Sequence, residues 1–462
     1  MTWRQQLVLT AQLSAPAILA QLSSIVMQYI DAAMVGSLGK EPAASIGLVA
    51  STTWLFDGVL SAAASGFAVQ VAHLIGANAP ERARAVVRQA IVVCLCFGLM
   101  MAAVGCAISG SLPHWLGGNT AINSDATRYF LIFSLCLPFL EMSFLGGAML
   151  RCSGNMKVPG LLNVLMCVLD VVFNFFLIFP SRDVNVAGTS LHLPGAGLGV
   201  TGAALGTALA EAVTCLLMLY FMWFRSRELQ LRGSTGSFRP TMECVRKAAN
   251  IGLPIGVQHI MMCLAYIVTT IIVAPLGNVA IAANAFAITA ESLCYMPGYG
   301  IGEAATTLVG QSLGAGRRDM MRRFAYITVG SGMALMTVMG LLLYLGAPWV
   351  MRMMTTDAEV ISLGASVLRI EAWAEPLFAA SIVCYGVMVG AGDTKIPSAM
   401  NLCSMWLIRL TLAFLLAASM GLRGVWLAMC IELCVRGTIF LIRLFSGRWS
   451  RHSATPNPQL ST

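Results

Sequence analysis

The chain has 462 residues, of which 58% are hydrophobic and only 10% are charged, and its mean hydropathy is +0.80. Soluble domains carry about 25% charged residues, so this composition excludes a soluble protein. The formal net charge of +8 does not call for a nucleic-acid partner, because most basic residues lie in loops between apolar runs. Those runs reach about 18 residues or more and lack the short alternation of barrel strands, which predicts an all-α integral membrane protein.

The apolar runs predict about twelve transmembrane helices, at roughly 20 residues for each crossing. They cover residues 11–36, 44–72, 86–110, 129–149, 158–180, 197–223, 250–274, 279–310, 325–346, 364–389, 397–420 and 424–445. The first run exceeds the apolar part of a signal peptide, so we interpret it as a span and not as a cleaved leader. A polar linker at 225–247 separates an N-terminal six-helix lobe (1–224) from a C-terminal six-helix lobe (248–446), which a tail at 447–462 follows.

Two short polar breaks indicate that the lobes are repeats of one structural unit. LRCSGNMKVPGLLN at 150–163 and MVGAGDTKIPSAMN at 388–401 share Gly, Lys, Pro and Asn at a constant offset of 238 residues. The same offset pairs Pro16 with Pro254, Gly76 with Gly314, Arg84 with Arg322 and Pro138 with Pro376. An even number of crossings separates the repeats, so we expect two pseudo-symmetric bundles related by an axis along the membrane normal. The offset also predicts that Pro159 and Pro397 lie in the first turn of the fifth and eleventh spans.

The distribution of Lys and Arg predicts the orientation of the chain. Twenty of the 28 basic residues fall on one side of the predicted membrane, six fall on the other, and Arg409 and Arg436 lie within spans. The positive-inside rule therefore places both termini and the linker in the cytoplasm, with the loop at 182–194 outside. We predict a multi-pass protein of the plasma (inner) membrane, acting as a monomer.

Acidic and amide side chains within the first, fifth and sixth spans are the main functional candidates, since a charge at membrane depth costs about 2.5–3.5 kcal/mol. Asp31 lies in the first span, Asp170 and Asn174 share one face of the fifth, and Thr207 lies in the sixth. Two carboxylates in one dry pocket cannot both ionise cheaply, so we predict that these residues bind a coupling H⁺ or Na⁺. For Na⁺, Asp31 and Asp170 are the metal ligands, and no other cofactor is predicted. The alternative for Asp31 is a structural, hydrogen-bonded carboxylate.

Further polar residues are candidates for lining a cleft between the lobes: Tyr29, Glu211, Glu291, Glu303, Glu371 and Glu375. Glu371 and Glu375 also fit an interfacial pair beside Arg369, and Glu291 and Glu303 also fit hydrogen bonds between helices. The second lobe has no counterpart of the acids at positions 31 and 170, so the lobes are chemically unequal. His73 lies opposite Gln311 in the repeat, and we interpret both as polar groups at cytoplasmic helix ends.

Five segments resemble those of multidrug and toxic compound extrusion (MATE) transporters. They are IDAAMVGSLG at 30–39, VAHLIGA at 71–77, SGNMKVP at 153–159, TTLVGQSLGAG at 306–316 and VGAGDTKIP at 389–397. The resemblance extends from about Leu13 to Phe445. It implies twelve helices in two lobes, and export of organic cations driven by inward H⁺ or Na⁺.

The resemblance also bears on the site residues. It maps the family's first-span acid onto Asp31 and its sixth-span Thr onto Thr207. One branch has Asn and then Asp on the fifth span, whereas this chain has Asp170 and then Asn174. A second branch has acids in the seventh and tenth spans at positions that are Met262 and Phe378 here, which favours coupling through the N-terminal lobe.

Two other functions are alternatives to the efflux of organic cations. A flippase of lipid-linked sugars needs a cationic cleft for phosphate, and only Arg409 and Arg436 lie within spans. A membrane enzyme or receptor is the second alternative, but no metal-ligand or nucleophile–base motif is present. We therefore predict a transporter and not an enzyme, with small organic cations and the lipid bilayer as its partners.

Overall fold

The computed structural model describes residues 2–186, 189–233 and 235–450, and its membrane part is helical throughout. Seven helices form the first half: α1 (Trp3–Gly36), α2 (Lys40–Gly76), α3 (Pro80–Ser109), the short α4 (Leu112–Trp115), α5 (Thr120–Cys152), α6 (Lys157–Ile178) and α7 (Val200–Tyr220). Eight form the second half: α8 (Met242–Val273), α9 (Asn278–Gly314), α10 (Arg318–Met354), α11 (Ala358–Glu371), α12 (Glu375–Gly390), α13 (Lys395–Cys403), α14 (Leu410–Met420) and α15 (Leu422–Ser446). A backbone in lipid must satisfy its own polar groups, which explains the helices.

Eleven of the described helical segments are long and apolar enough to cross a membrane, and a bent pair makes twelve. This confirms the predicted number of spans. The bent pair is α11 and α12, which meet at 59° and together form the tenth span. Pro376 is the second residue of α12; it lacks a backbone donor and clashes with the carbonyl four residues earlier, so the chain breaks and restarts there. Its repeat partner Pro138 lies inside the continuous helix α5.

A small antiparallel hairpin connects α6 to α7 and was not part of the all-α prediction. Its strands are β1 (Pro180–Val186) and β2 (Thr189–Ala196), and residues 187–188 of this loop lie outside the described residues. The hairpin lies between two candidate spans and belongs to none of them. It therefore adds sheet to a connection and leaves the membrane part helical.

The two halves pack in the arrangement that the repeat predicts. Helix α1 packs on α9, and α8 packs on α2, so exchanging the halves exchanges these two contacts. Each half has its own buried core, one around Phe67, Leu145 and Met218 and the other around Met336 and Trp426. Helices α6 and α13 begin at Lys157 and Lys395, which places Pro159 and Pro397 in the first turn of each, as predicted.

The segment between the halves is shorter than predicted and is packed against the first half. Helix α8 begins at Met242, capped by the Thr241 hydroxyl, so the last residues of the predicted linker are helical. Leu229 and Leu231 are buried, and the Arg84 side chain donates to the Glu228 carbonyl over 3.1 Å. We call the end of the bundle that carries this segment and the α2–α3, α5–α6, α9–α10 and α12–α13 connections the basic end. Residues 451–462 of the predicted tail lie outside the described residues.

Candidate functional site

The N-terminal pocket is built around Asn174, whose amide nitrogen joins two carboxylates. It donates to Oδ1 of Asp31 over 2.9 Å and to Oδ2 of Asp170 over 3.1 Å. The two carboxyl groups also lie close enough to interact directly. Asp31 comes from α1 and the other two residues come from α6, so the pocket connects two helices of the first half. The structure thus brings together the residues predicted from the first and fifth spans.

Helix geometry and one close contact position this pocket. Asp170 and Asn174 are four residues apart on α6, so their side chains project from the same face. Gly206 of α7 packs directly against Asn174, and a Cβ added at Gly206 would collide with Oδ1 of that side chain. The absence of a side chain at position 206 therefore makes room for the amide. The small residues of α7 between Gly202 and Gly206 form a run in the sequence, and here they allow the close approach of two helices.

The pocket has unused acceptor capacity. Asp170 and Asn174 are buried, at 0% and 1% exposure, and Oδ1 of each accepts no hydrogen bond. Thr207 of α7 lies beside the Asp170 carboxyl, and Tyr129 of α5 lies within electrostatic range of both acids. These are oxygen ligands, which suit a proton or a hard cation such as Na⁺. Buried acceptors without donors are costly, so a proton or a cation at these oxygens would satisfy them.

Sequence reasoning missed Tyr129 and Gly206. Tyr129 is on α5 and has no periodic relation to the acids in the sequence, so only the packing of helices could place it there. Gly206 belongs to the small-residue run that the sequence does show, but its contact with Asn174 depends on how α6 and α7 cross. Across the described residues, no three or more His, Cys, Asp and Glu side chains cluster as ligands for a metal ion.

Two of the predicted cleft residues join the halves. The Tyr29 hydroxyl of α1 donates to the Thr289 carbonyl of α9 over 2.5 Å. Glu303 of α9 accepts from the Gln21 amide at 3.3 Å and lies 3.6 Å from the Arg151 guanidinium. Both residues thus lie at the interface where the cleft was predicted.

The other predicted acids lie within single halves. Glu371 and Glu375 flank the break between α11 and α12, where both are fully buried with no hydrogen-bond partner for any carboxylate oxygen. They form no interfacial pair with Arg369, whose guanidinium instead donates to the Tyr344 carbonyl. Glu291 of α9 is also buried and faces Arg409. The second half therefore does hold buried acids, although residues 262 and 378 are the apolar Met262 and Phe378.

Glu211 of α7 lies one turn beyond Thr207 on the same helix. Its carboxyl interacts with the Ser143 hydroxyl of α5 and lies near Asp57 of α2. It is partly accessible, unlike Asp170. Glu211 therefore extends the polar surface of the first half from the N-terminal pocket toward the basic end.

Comparisons with known proteins agree on one family. The MatE family model matches residues 16–176 and 254–415. A probable multidrug resistance protein NorM from Thermotoga maritima is 25% identical over 447 residues, which cover 96% of this chain and 93% of the relative. The multidrug resistance protein NorM of Burkholderia vietnamiensis is 28% identical over 432 residues, covering 90% of this chain and 89% of its own.

The fold has similar solved structures as well. The crystal structure of a Vibrio cholerae MATE transporter superposes with a TM-score of 0.87 at 18% identity, and the alignment covers 96% of this chain and 97% of that one. At this identity the likeness concerns the fold alone. The two matched ranges of the family model begin 238 residues apart, which is the offset of the internal repeat.

Proposed function

We propose, because the chain belongs to the MatE family, that it is a secondary active transporter that exports organic cations in exchange for H⁺ or Na⁺. The relatives named for multidrug resistance support this substrate class, and the two packed halves support alternating access. The chain resides in the plasma membrane with both termini in the cytoplasm, as the skew of Lys and Arg indicates. It acts on small molecules as a monomer and has no enzymatic activity.

One observation carries the proposal for coupling: a single amide donor serves two carboxylates on different helices. With both acids ionised and no cation present, Asp31 and Asp170 repel each other across the Asn174 amide. A proton or Na⁺ bound in the N-terminal pocket removes that repulsion and lets α1 pack against α6. Ion binding therefore changes how strongly α1 is held by its own half.

The position of α1 connects this local change to the whole molecule. Helix α1 packs on α6 of its own half and on α9 of the other half. A shift of α1 that follows ion binding alters the interface across which the halves rock. The ion thereby biases the equilibrium between inward-open and outward-open states by its difference in affinity for the two.

The charges within spans support a cation exporter over a flippase of phosphate-containing lipids. Arg436 pairs with Glu432 of its own helix at 3.1 Å, and Arg409 faces the buried Glu291. Neither presents an uncompensated positive charge for a phosphate group. Buried acids without basic partners predominate in the rest of the described spans, which favours a cationic substrate.

Purified protein in proteoliposomes tests the proposal. A fluorescent organic cation is loaded, and either a proton gradient or a Na⁺ gradient is imposed on its own. Efflux above that of protein-free liposomes is expected with one of the two gradients and for several unrelated cations. Transport confined to an anionic or sugar-linked lipid would contradict the proposal.

A further inference from the structure

Two hydrogen bonds at the basic end join the halves and are related by the internal repeat. Nε2 of His73 lies 2.8 Å from the Gly390 carbonyl oxygen, and Nε2 of Gln311 donates to the Cys152 carbonyl oxygen over 2.8 Å. His73 and Gln311 are equivalent positions in the two halves, and Cys152 and Gly390 are equivalent as well. Each half thus extends one side chain to the last residue of a helix in the other half. We call this pair of hydrogen bonds the inter-lobe bridges.

The acceptors of the bridges are helix-end carbonyls, which lack a partner within their own helix. Cys152 ends α5 and Gly390 ends α12. In the two turns that follow, the N–H groups of Gly154 and Gly392 donate to the carbonyls of Arg151 and Val389, which are the residues just before Cys152 and Gly390. The bridges therefore supply hydrogen bonds that water would otherwise have to provide.

The backbones of α2 and α9 touch at the same place. A Cβ added at Gly76 would collide with the Gln311 carbonyl oxygen, and one added at Gly314 would collide with the His73 carbonyl oxygen. These two glycines are again equivalent in the repeat. The crossing of α2 and α9 thus lies close to the pseudo-two-fold axis and has no side chain between the two backbones.

Further contacts close the basic end around the bridges. The Thr307 hydroxyl of α9 donates to the Arg151 carbonyl over 3.2 Å, and the Arg151 guanidinium lies 3.6 Å from Glu303. The Cys152 side chain is 5% exposed and interacts with Thr307 of the other half. The Cys152 thiol is therefore buried at the junction between the halves.

We infer that the inter-lobe bridges are the gate that closes the basic end of the transport path, together with the contact at Gly76 and Gly314 where α2 and α9 cross. The inference rests on the proposed function, because only alternating access requires this end to open. The two bridges are symmetric about the crossing of α2 and α9, so rocking the halves apart breaks both in one motion. Two neutral hydrogen bonds hold the closed state without making it permanent.

Labelling of Cys152 with N-ethylmaleimide, followed by peptide mass spectrometry, tests the gate in the full-length protein in membranes. The test variants are the double substitution His73→Ala with Gln311→Ala and, separately, Gly76→Ala and Gly314→Ala. The matched glycine control is Gly330→Ala, where an added Cβ meets nothing within 4 Å. Cys384, which is fully buried in the core of the second half, serves as the internal reference thiol.

The gate predicts that Cys152 labelling rises roughly tenfold or more in the double variant, which loses two hydrogen bonds, and also rises in both glycine variants. Cys384 labelling and the Gly330→Ala variant should match wild type. His73→Gln should also match wild type, because Gln forms the equivalent bridge from position 311. Unchanged Cys152 labelling in all test variants would overturn the inference, and so would an equal rise at Cys384, which indicates a loosened fold. The assay contains no substrate or ion gradient, so its outcome is independent of the proposed substrate and coupling ion.

Discussion

Asn174 is the residue on which the geometry of the N-terminal pocket depends. Its amide nitrogen donates to both Asp31 and Asp170, and its side-chain oxygen lies against Gly206. Asp170 precedes Asn174 by one helical turn on α6, so the carboxylate and the amide project from the same face. The resemblance described above implies the reverse order in one branch of the family, and either order places the two groups side by side.

Removing the Asn174 amide should weaken the protein as well as its coupling. Asn174→Ala leaves the buried Asp170 carboxyl and the half-buried Asp31 carboxyl without their shared donor, and we expect a loss of about 1.5–3 kcal/mol in stability. The apparent melting temperature in detergent measures this loss. Asn163→Ala, on the same helix and without a described hydrogen bond from its side chain, is the control. Equal melting temperatures for the two variants would show that the amide does not hold the pair.

Gly206→Ala tests the pocket without changing any polar group. The added methyl group would displace the Asn174 side chain, so gradient-driven efflux should fall at least about tenfold, as a small misplacement of binding groups does. Efflux in proteoliposomes is the measurement. Gly346→Ala, where a Cβ meets nothing within 4 Å, should transport as wild type. Normal efflux by Gly206→Ala would show that the position of Asn174 is not critical.

At the scale of elements, the segment between α7 and α8 behaves as part of the first half. Leu229 and Leu231 are 0% and 5% exposed, and Trp223 stacks on Phe238 with ring centroids 6.1 Å apart. The glycine, serine and basic residues of this segment indicated only a flexible linker. Its two leucines are too few to form a recognisable pattern, and their burial depends on a groove made by other helices.

Docking of this segment predicts protection from proteases. The double variant Leu229→Ala with Leu231→Ala removes two buried side chains, at about 2–5 kcal/mol each, and should release the segment from the first half. Trypsin cleavage at Arg232 is then expected to become faster than in wild type, as read by peptide mass spectrometry. Leu161→Ala, a residue that is 65% exposed, is the control. Cleavage at an unchanged rate would mean that the leucines do not hold the segment in place.

The predictions from sequence were confirmed where a local pattern is compatible with only one kind of structure. Apolar runs of membrane length predicted the number of spans, and the repeated Pro159 and Pro397 marked equivalent helix starts. Asp31, Asp170 and Asn174, which were predicted to share one pocket, lie in contact. The break before Pro376 was not predicted, and Pro138 at the equivalent position lies within a continuous helix. Contacts such as that of Gly206 with Asn174 depend on helix crossings, which hydropathy does not encode.

At the scale of the whole molecule, the repeat organises both the packing and the proposed movement. The contacts of α1 with α9 and of α8 with α2 are exchanged by the same pseudo-two-fold axis that relates the inter-lobe bridges. The chemistry does not follow this symmetry. The first half holds the Asp31–Asn174–Asp170 pocket, and the second half holds buried glutamates around the α11–α12 break. The proposed coupling site is therefore asymmetric, although the arrangement of the helices is symmetric.

The basic end should face the cytoplasm. Epitope tags at both termini and a reporter in the 182–194 loop, tested for accessibility in intact cells, measure this orientation. The reporter in the loop should be accessible from outside, and both termini should become accessible only after the membrane is opened. A terminus on the same side as the loop would contradict a twelve-span arrangement.

Gradient-driven efflux of a fluorescent cation from proteoliposomes tests whether Asp31 and Asp170 couple ion entry to export. Asp31→Asn and Asp170→Asn should insert and fold, because each removes a charge from the membrane, yet lose efflux under the gradient that drives wild type. Glu375→Gln, which alters an acid of the second half that is as buried as Asp170, should retain more activity than either. Wild-type efflux by both aspartate variants together with an inactive Glu375→Gln would contradict the account and place coupling in the second half.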